Sequence, residues 1–324
     1  MTKRYFCTLF DSGYLLKGLA MMQSLARYCP GMKIYVLCMD DEAKVLLEQF
    51  QFPYVHCIRL SEVEDEKLLR AKAGRGIAEY CWTLSSSFTY YVMQNYPEID
   101  FLTYVDADLL FYSDVQPIFD EIGDASIAII EHRFTKRLKD REVNGRFCVE
   151  WNSFRRDEQG LACLSRWREQ CIEWCFYRLE DGKMGDQKYL DEWPDKYSKC
   201  HIIMHAGAGI APWNYAQYRF DQDAKGGITV EGEPLIFYHF HQFQILQNGK
   251  FDRLSNFYTS ECKEPHRIYE VYEHQLSEVL RQVRLFHPNF NAGMKSNSKL
   301  KVRRLIQKSV PFWVKEIGRR FFRY

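Results

Sequence analysis

Residues 101–119 read FLTYVDADLLFYSDVQPIF, an apolar run that ends on two carboxylates, Asp106 and Asp108, and turns apolar again before a helix signal. Phe101 to Val105 has the length and residue types of a buried strand. Residues two apart on a strand share a face, so Asp106 and Asp108 converge if the strand continues through them. Two ionised carboxylates side by side repel, and the pKa of one rises unless a cation sits between them. A hard divalent ion removes that repulsion, and Mg2+ or Mn2+ held this way shares the rest of its shell with water and substrate phosphates. D-x-D is also common in solvated loops, so the pair needs support from the rest of the chain.

On the N-terminal side, strand and helix signals alternate. RYFCTLF (4–10) is strand-length and apolar; after the loop DSGY a helical face carries Leu15, Leu19, Met22 and Ala26. MKIYVLCM is a second strand, Asp40 and Asp41 supply the cap of a helix over EAKVLLEQF, and FPYVHCIRL is a third strand. SEVEDEKLLRAKAGRG (61–76) reads as a variable loop, and Ile77 to Gln94 as the helix that leads into the aspartate strand. Beyond the pair, Ser113 or Asp114 caps a short helix with Pro117 in its first turn. ASIAIIEH and residues 145–154 are strands, GLACLSRWREQCIEWCFYRLEDG is an amphipathic helix, and PLIFYHFHQF is a late strand. Such alternation predicts an α/β fold, Rossmann-like, with a mixed, mainly parallel sheet flanked by helices. Ligands of such sheets bind beyond the carboxyl ends of the strands, where Asp106 and Asp108 fall.

His239 and His241 repeat the two-residue spacing of the aspartates, so both imidazoles can face one way from a strand. An imidazole beside two carboxylates suits Mn2+ better than Mg2+. Cys171 and Cys175 lie four apart on a helix, without the C-x-x-C pairs of a zinc site, and read as core.

The 11 cysteines are scattered through apolar runs and do not form a disulfide framework, which points to a reducing compartment. The chain opens without a signal-peptide core, and no segment approaches the roughly 18 uninterrupted apolar residues of a membrane span. These features predict a cytoplasmic protein. The net charge of +1 conceals a basic tail: residues 295–324 carry ten Lys/Arg against one Glu, and the body is acidic. The tail interleaves its cations with Leu305, Ile306, Phe312, Trp313, Ile317, Phe321 and Phe322, a composition suited to an anionic membrane surface. The acidic body and the absence of a nucleic-acid motif argue against nucleic acid. The expected division is a catalytic domain over 1–260 and a helical, basic extension over 261–324.

Four stretches in order, TLFDSGYLLKG, YVDADLLFYSDVQPIF, GDQKYL and FYHFHQF, resemble the glycosyltransferase A fold of nucleotide-diphospho-sugar transferases. The likeness is strongest to glycosyltransferase family 8 and related bacterial surface-polysaccharide enzymes, and it spans about residues 4–250. The resemblance implies that Phe10, Asp11 and Tyr14 line a nucleotide pocket, the Tyr14 ring stacking on a uracil-like base. It implies Mn2+ (or Mg2+) on Asp106, Asp108 and His239, with His241 as second choice. Asp186 and Gln187 match the pair that contacts the donor sugar. The implied reaction moves a sugar from a nucleotide sugar, UDP-linked by resemblance, to a glycan or lipid-linked acceptor, with retention of anomeric configuration.

The sequence departs from the family in three places. Gln242 stands where the late motif has glycine, the phosphate-binding lysine of that motif has no counterpart in APWN (211–214), and CVEWN replaces the Asn-x-Gly before the long helix. Glu150, Trp151 and Trp213 are left as wall residues. Two other classes compete. A haloacid-dehalogenase-type phosphatase would use Asp106 as nucleophile with Asp186 and Asp191 as a metal pair, but its D-x-D normally follows the first strand. A non-catalytic nucleotide-sugar-binding protein would bind without turnover.

Overall fold

The structure, a computed structural model, describes residues 3–253 and 265–296. Its N-terminal half runs β1 (Tyr5–Phe10), α1 (Leu15–Tyr28), β2 (Lys33–Cys38), α2 (Asp41–Gln49), β3 (Val55–Arg59), α3 (Leu60–Val63), α4 (Glu66–Ala73), α5 (Ile77–Asn95), β4 (Phe101–Val105), β5 (Leu109–Phe111), α6 (Gln116–Ile122) and β6 (Ile127–Glu131). Next come β7 (Phe147–Arg155), α7 (Glu158–Glu173), α8 (Trp193–Lys196), β8 (Cys200–Ile203), β9 (Phe220–Gln222), β10 (Ile228–Val230), β11 (Glu233–Pro234), β12 (Phe237–His239), β13 (Gln244–Ile245), β14 (Phe251–Asp252) and α9 (His266–Phe286). Seven strands form the central sheet in the order β3-β2-β1-β4-β7-β6-β8. β1 to β4 run parallel, β7 is antiparallel to both its neighbours, and β8 is parallel to β6. The mixed, mainly parallel sheet is as expected from the alternating pattern.

Both faces of the sheet are covered, which is why its strands are apolar almost throughout. Phe6, Ile34 and Val36 pack with α1, α2 and α9 on one face; their neighbours Cys7, Tyr35 and Leu37 pack with α5 and α7 on the other. Each fully buried Leu or Phe in these layers contributes about 1.5–3 kcal/mol. Ten described cysteines are free, Cys171 and Cys175 among the buried ones, and no helix among the described residues is long and apolar enough to cross a membrane.

Several local expectations are corrected. Residues 61–76 are not a loop: Asp65 caps α4 by accepting from the Leu68 N–H at 2.9 Å, and the buried Leu68 pins the helix to the body. The long helix predicted up to Gly182 stops at Glu173. Its last stretch folds instead into a reverse turn at Asp181 and Gly182, both at positive φ, with Glu180 and Lys183 exchanging backbone hydrogen bonds. Asp114 rather than Ser113 serves α6, accepting from the Gln116 N–H, while the Ser113 hydroxyl donates to the Leu235 carbonyl. The late strand is short and ends at His239, so His241 lies beyond it.

Beyond the expected boundary at 260, α9 packs against the body. Ile268, Tyr269, Tyr272, Leu276, Val279 and Val283 of α9, with Phe290 and Met294 after it, belong to the same apolar cluster as α1 and the sheet. Residues 297–324, which hold most of the basic tail, lie outside the described residues.

Candidate active site

β4 stops at Val105, so the strand does not continue through the aspartates as expected; they occupy the break between β4 and β5. A different strand makes them converge on a ligand. β12 pairs antiparallel with β5, placing His239 opposite Leu109, and the Phe240 N–H donates to the Asp108 carbonyl at 2.9 Å. This register brings His239 Nε2 to 3.0 Å from Asp108 Oδ1 and 3.9 Å from Asp106 Oδ2.

The other ring nitrogen of His239 is also engaged. Nδ1 lies 2.6 Å from Glu150 Oε2, and Glu150 is fully buried on β7. β7 is in turn tied to the pair, since the Asp106 N–H donates to the Glu150 carbonyl at 3.2 Å. Trp213 meets the His239 ring edge to face, centroids 5.1 Å apart. With Nδ1 committed to Glu150, Nε2 is directed at the aspartates, as in the carboxylate–histidine–metal arrangements of metalloproteins.

The electrostatics show a site short of positive charge. Burial pushes the Asp106 carboxyl up to about 7; the His239 charge opposes this, and the charges of Asp108 and Glu150 reinforce it. Burial also opposes ionisation of Asp108, but His239 and Lys17 outweigh it and hold that carboxyl well below the usual range. His239 answers in kind: burial disfavours its charge, yet Asp108 raises it well above an ordinary imidazole. Burial first, with the Asp108 charge adding to it, thus pushes one aspartate up, and the Asp108 carboxylate favours the charged form of the ring between them.

Asp106, Asp108 and His239 each offer an atom within 4.8 Å of the others, two carboxylate oxygens and one imidazole nitrogen. That donor set fits Mn2+ or Mg2+, with Mn2+ the better match to the nitrogen. Cys148, Glu150 and His239 form a second close group, but burial raises the Cys148 thiol far above its usual pKa. The shift disfavours the thiolate, the form in which a cysteine binds metal.

The remaining predicted residues divide. Asp11 Oδ1 accepts from the Tyr14 N–H at 3.0 Å, fixing the β1–α1 loop, and the Tyr14 ring is 46% exposed. Lys17 Nζ links the Tyr14 ring, 4.4 Å from its centre, to Asp108, 3.6 Å away, and the Asp108 charge raises the Tyr14 hydroxyl. Phe10 is buried, its ring lying where a side chain at Gly18 would sit, so it is core rather than pocket wall. Asp186 is buried, accepts from the Ser85 hydroxyl at 3.1 Å, and is raised to about 7 by burial and then by the Asp106 charge. Gln187 turns away, its amide donating to the Asn144 carbonyl at 3.0 Å. The His241 ring stands 5.8 Å from that of His239, outside the ligating group; burial and the His239 charge lower it to about 4.

Trp151 is fully buried and stacked on Phe237, so it is core; Trp213 walls the histidines, and Glu150 supports His239. Asp191 is bound to the Arg146 N–H and the Lys188 ammonium, both at 2.8 Å, and does not pair with Asp186 as a phosphatase metal site requires. Gln242, at the family's glycine position, adopts a left-handed backbone with φ 61°.

Three further residues support the site, of which the sequence shows only Asp40, as a helix cap. Lys17, in the first turn of α1, reaches within 3.6 Å of Asp108 Oδ2. Ser85 holds Asp186 from α5. Asp40 accepts from both the N–H and the hydroxyl of Ser12 while capping α2, joining two loops at the sheet's carboxyl edge. Lys17 carries a legible signal, being a lysine on an otherwise apolar helical turn; Ser85, inside α5, carries none, and Asp40 reads only as the cap of α2.

No protein-family model matches the chain. It is 32% identical over 298 residues to the uncharacterized protein YfnF of Bacillus subtilis (strain 168), covering 90% of this chain and 97% of that one. It is 30% identical to YfnD of the same organism, covering 90% and 95%. Among solved structures, the galactosyltransferase LgtC, in complex with donor and acceptor sugar analogues, aligns with TM-score 0.51 at 13% identity over 85% of this chain and 95% of that one. The glycosyltransferase GlyE of Streptococcus pneumoniae TIGR4 aligns with TM-score 0.50 at 15% identity over 91% of this chain, which spans 66% of GlyE. The fold is the glycosyltransferase A fold.

Proposed function

We propose that the chain, which belongs to the family of the Bacillus subtilis proteins YfnF and YfnD and has the glycosyltransferase A fold, is a metal-dependent glycosyltransferase. It moves a sugar from a nucleotide diphosphate sugar, a UDP-sugar first, to a glycan or lipid-linked saccharide. The observation that carries this reading is the meeting of Asp106, Asp108 and His239 at the carboxyl edge of the sheet, with Glu150 behind the ring.

A divalent cation held by Asp106, Asp108 and His239 would act as Lewis acid toward the diphosphate leaving group. The protein's own groups arrange the rest. Glu150 keeps Nε2 of His239 turned to the aspartates. Tyr14 offers a half-exposed ring for the base, on a loop fixed by Asp11 and Asp40. Asp186, held by Ser85 and coupled to Asp106 by charge, is the carboxyl set to face the sugar as the glycosyl carbon gains positive character. Retention of anomeric configuration is part of the proposal and follows the family 8 resemblance.

Incubation with a panel of nucleotide sugars, with and without Mn2+, tests the reading through release of nucleoside diphosphate. One donor class is expected to turn over only with metal, and Asp106→Ala or Asp108→Ala to abolish that turnover, since several kcal/mol of charge stabilisation are lost. Metal-independent turnover, or variants at the wild-type rate, would refute it.

A further inference from the structure

Lys17 is placed where a lysine is costly. It stands in the first turn of α1, at the positive end of the helix dipole, where a cation is disfavoured. Its side chain is 9% exposed, and burying an ammonium carries a penalty of several kcal/mol unless its partners repay it. Its partner Asp108 already has His239 3.0 Å from its carboxylate, so Lys17 is the second cation on that group. When the pair binds a cation, Asp108 gains another partner and Lys17 is left with little to do for stability.

A second lysine reaches the same corner from the far end of the chain. After α9 the backbone returns to the β1–α1 loop, where Gly293 packs so tightly on Gly13 that a Cβ on Gly293 would come within 1.8 Å of the Gly13 carbonyl. The next turn is clamped: the Lys295 N–H donates to the Ile245 carbonyl at 2.8 Å, and the Gln247 N–H to the Lys295 carbonyl at 3.1 Å. Lys295 is exposed, and its charge adds to the burial that disfavours a charged Lys17. A second cation is thus anchored two residues from the Gly293–Gly13 contact, beside the loop that leads into Lys17.

Their position says what they await. Lys17 Nζ lies 4.4 Å from the centre of the Tyr14 ring and 3.6 Å from Asp108. It therefore stands between the ring available to a base and the carboxylates available to a metal. In a nucleotide sugar the diphosphate joins those two ends. Resting on the transferase reading, we propose that Lys17 and Lys295 grip the donor diphosphate, in place of the lysine missing from the late strand motif. The metal answers the two aspartates, and the two ammonium groups answer the two charges of the diphosphate diester.

Titration calorimetry in Mn2+ with UDP and with inorganic pyrophosphate, beside NMR titration with uridine, tests this. Lys17→Met and Lys295→Met are each expected to weaken UDP and pyrophosphate by about tenfold or more, equivalent to about 1.4 kcal/mol. Uridine and Mn2+ alone should bind Lys295→Met as they bind the wild type, because Lys295 is not among the metal-ligating group. Lys295 is exposed, so its variant keeps the question open to measurement even if Lys17→Met disturbs folding. Wild-type affinity for pyrophosphate and UDP in both variants overturns the inference and leaves the transferase reading standing. A wild type that binds neither probe with Mn2+ overturns both.

Discussion

Glu150 Oε2 and His239 Nδ1 stand 2.6 Å apart in a fully buried pair, and the contact fixes which ring nitrogen faces the aspartates. Replacing Glu150 by Gln keeps the shape and removes the carboxylate that holds the Nδ1 proton. Loss of such a partner typically weakens metal binding by about 10- to 100-fold. Calorimetry with Mn2+ alone should show that drop while the thermal midpoint in metal-free buffer changes little. Unchanged affinity would mean that Glu150 does not set the ring.

Metal binding should strengthen as pH rises. Asp106 at about 7 and His239, raised well above its usual range, both hold protons in the metal-free site near neutrality. Both must give them up to serve as ligands. Between pH 6 and 7 the affinity is therefore expected to rise by about one to two log units per pH unit, with protons released to buffer. Titrations in buffers of different ionisation enthalpy count them. An affinity flat across that interval contradicts the assigned ligands.

Gln242 occupies the third position of a turn closed by the Phe243 N–H donating to the Phe240 carbonyl at 3.0 Å, at φ 61°. A left-handed residue with a Cβ costs about 1–2 kcal/mol, partly offset in glycine by its greater chain entropy. Gln242→Gly should leave stability level or raise it by about 1 kcal/mol, and Gln242→Val should lower it by about 1 kcal/mol or more. Urea unfolding of the two variants checks the order; a glycine variant less stable than the valine one contradicts it.

Gly293 has φ 71° as well as the backbone of Gly13 against it. Gly293→Ala must push the two loops apart and should destabilise the protein by about 2 kcal/mol or more. Hydrogen exchange should quicken at the Gln247 and Lys295 amides, whose bonds depend on that approach. Wild-type stability and protection together would show that the segment is not anchored there.

The sequence by itself determined the α/β class, the mixed sheet, the glycosyltransferase A resemblance, the aspartate pair and the histidine that joins it. These were legible because apolar strand runs, helix periodicity and caps are local signals, and Asp106, Asp108 and His239 lie at the ends of such runs. Turn chemistry at Asp181 and Gly182 and the Asp65 cap were local too, and were passed over. The tertiary structure alone decided the working set. Nothing local sets Glu150 behind His239 rather than in a wall, turns Gln187 away, buries Phe10 and Trp151, or carries the segment of Gly293 back to the β1–α1 loop. Those outcomes depend on the register of β5 with β12, the antiparallel insertion of β7 and the return of the chain after α9, each a pairing between residues far apart in sequence that periodicity along the chain does not encode.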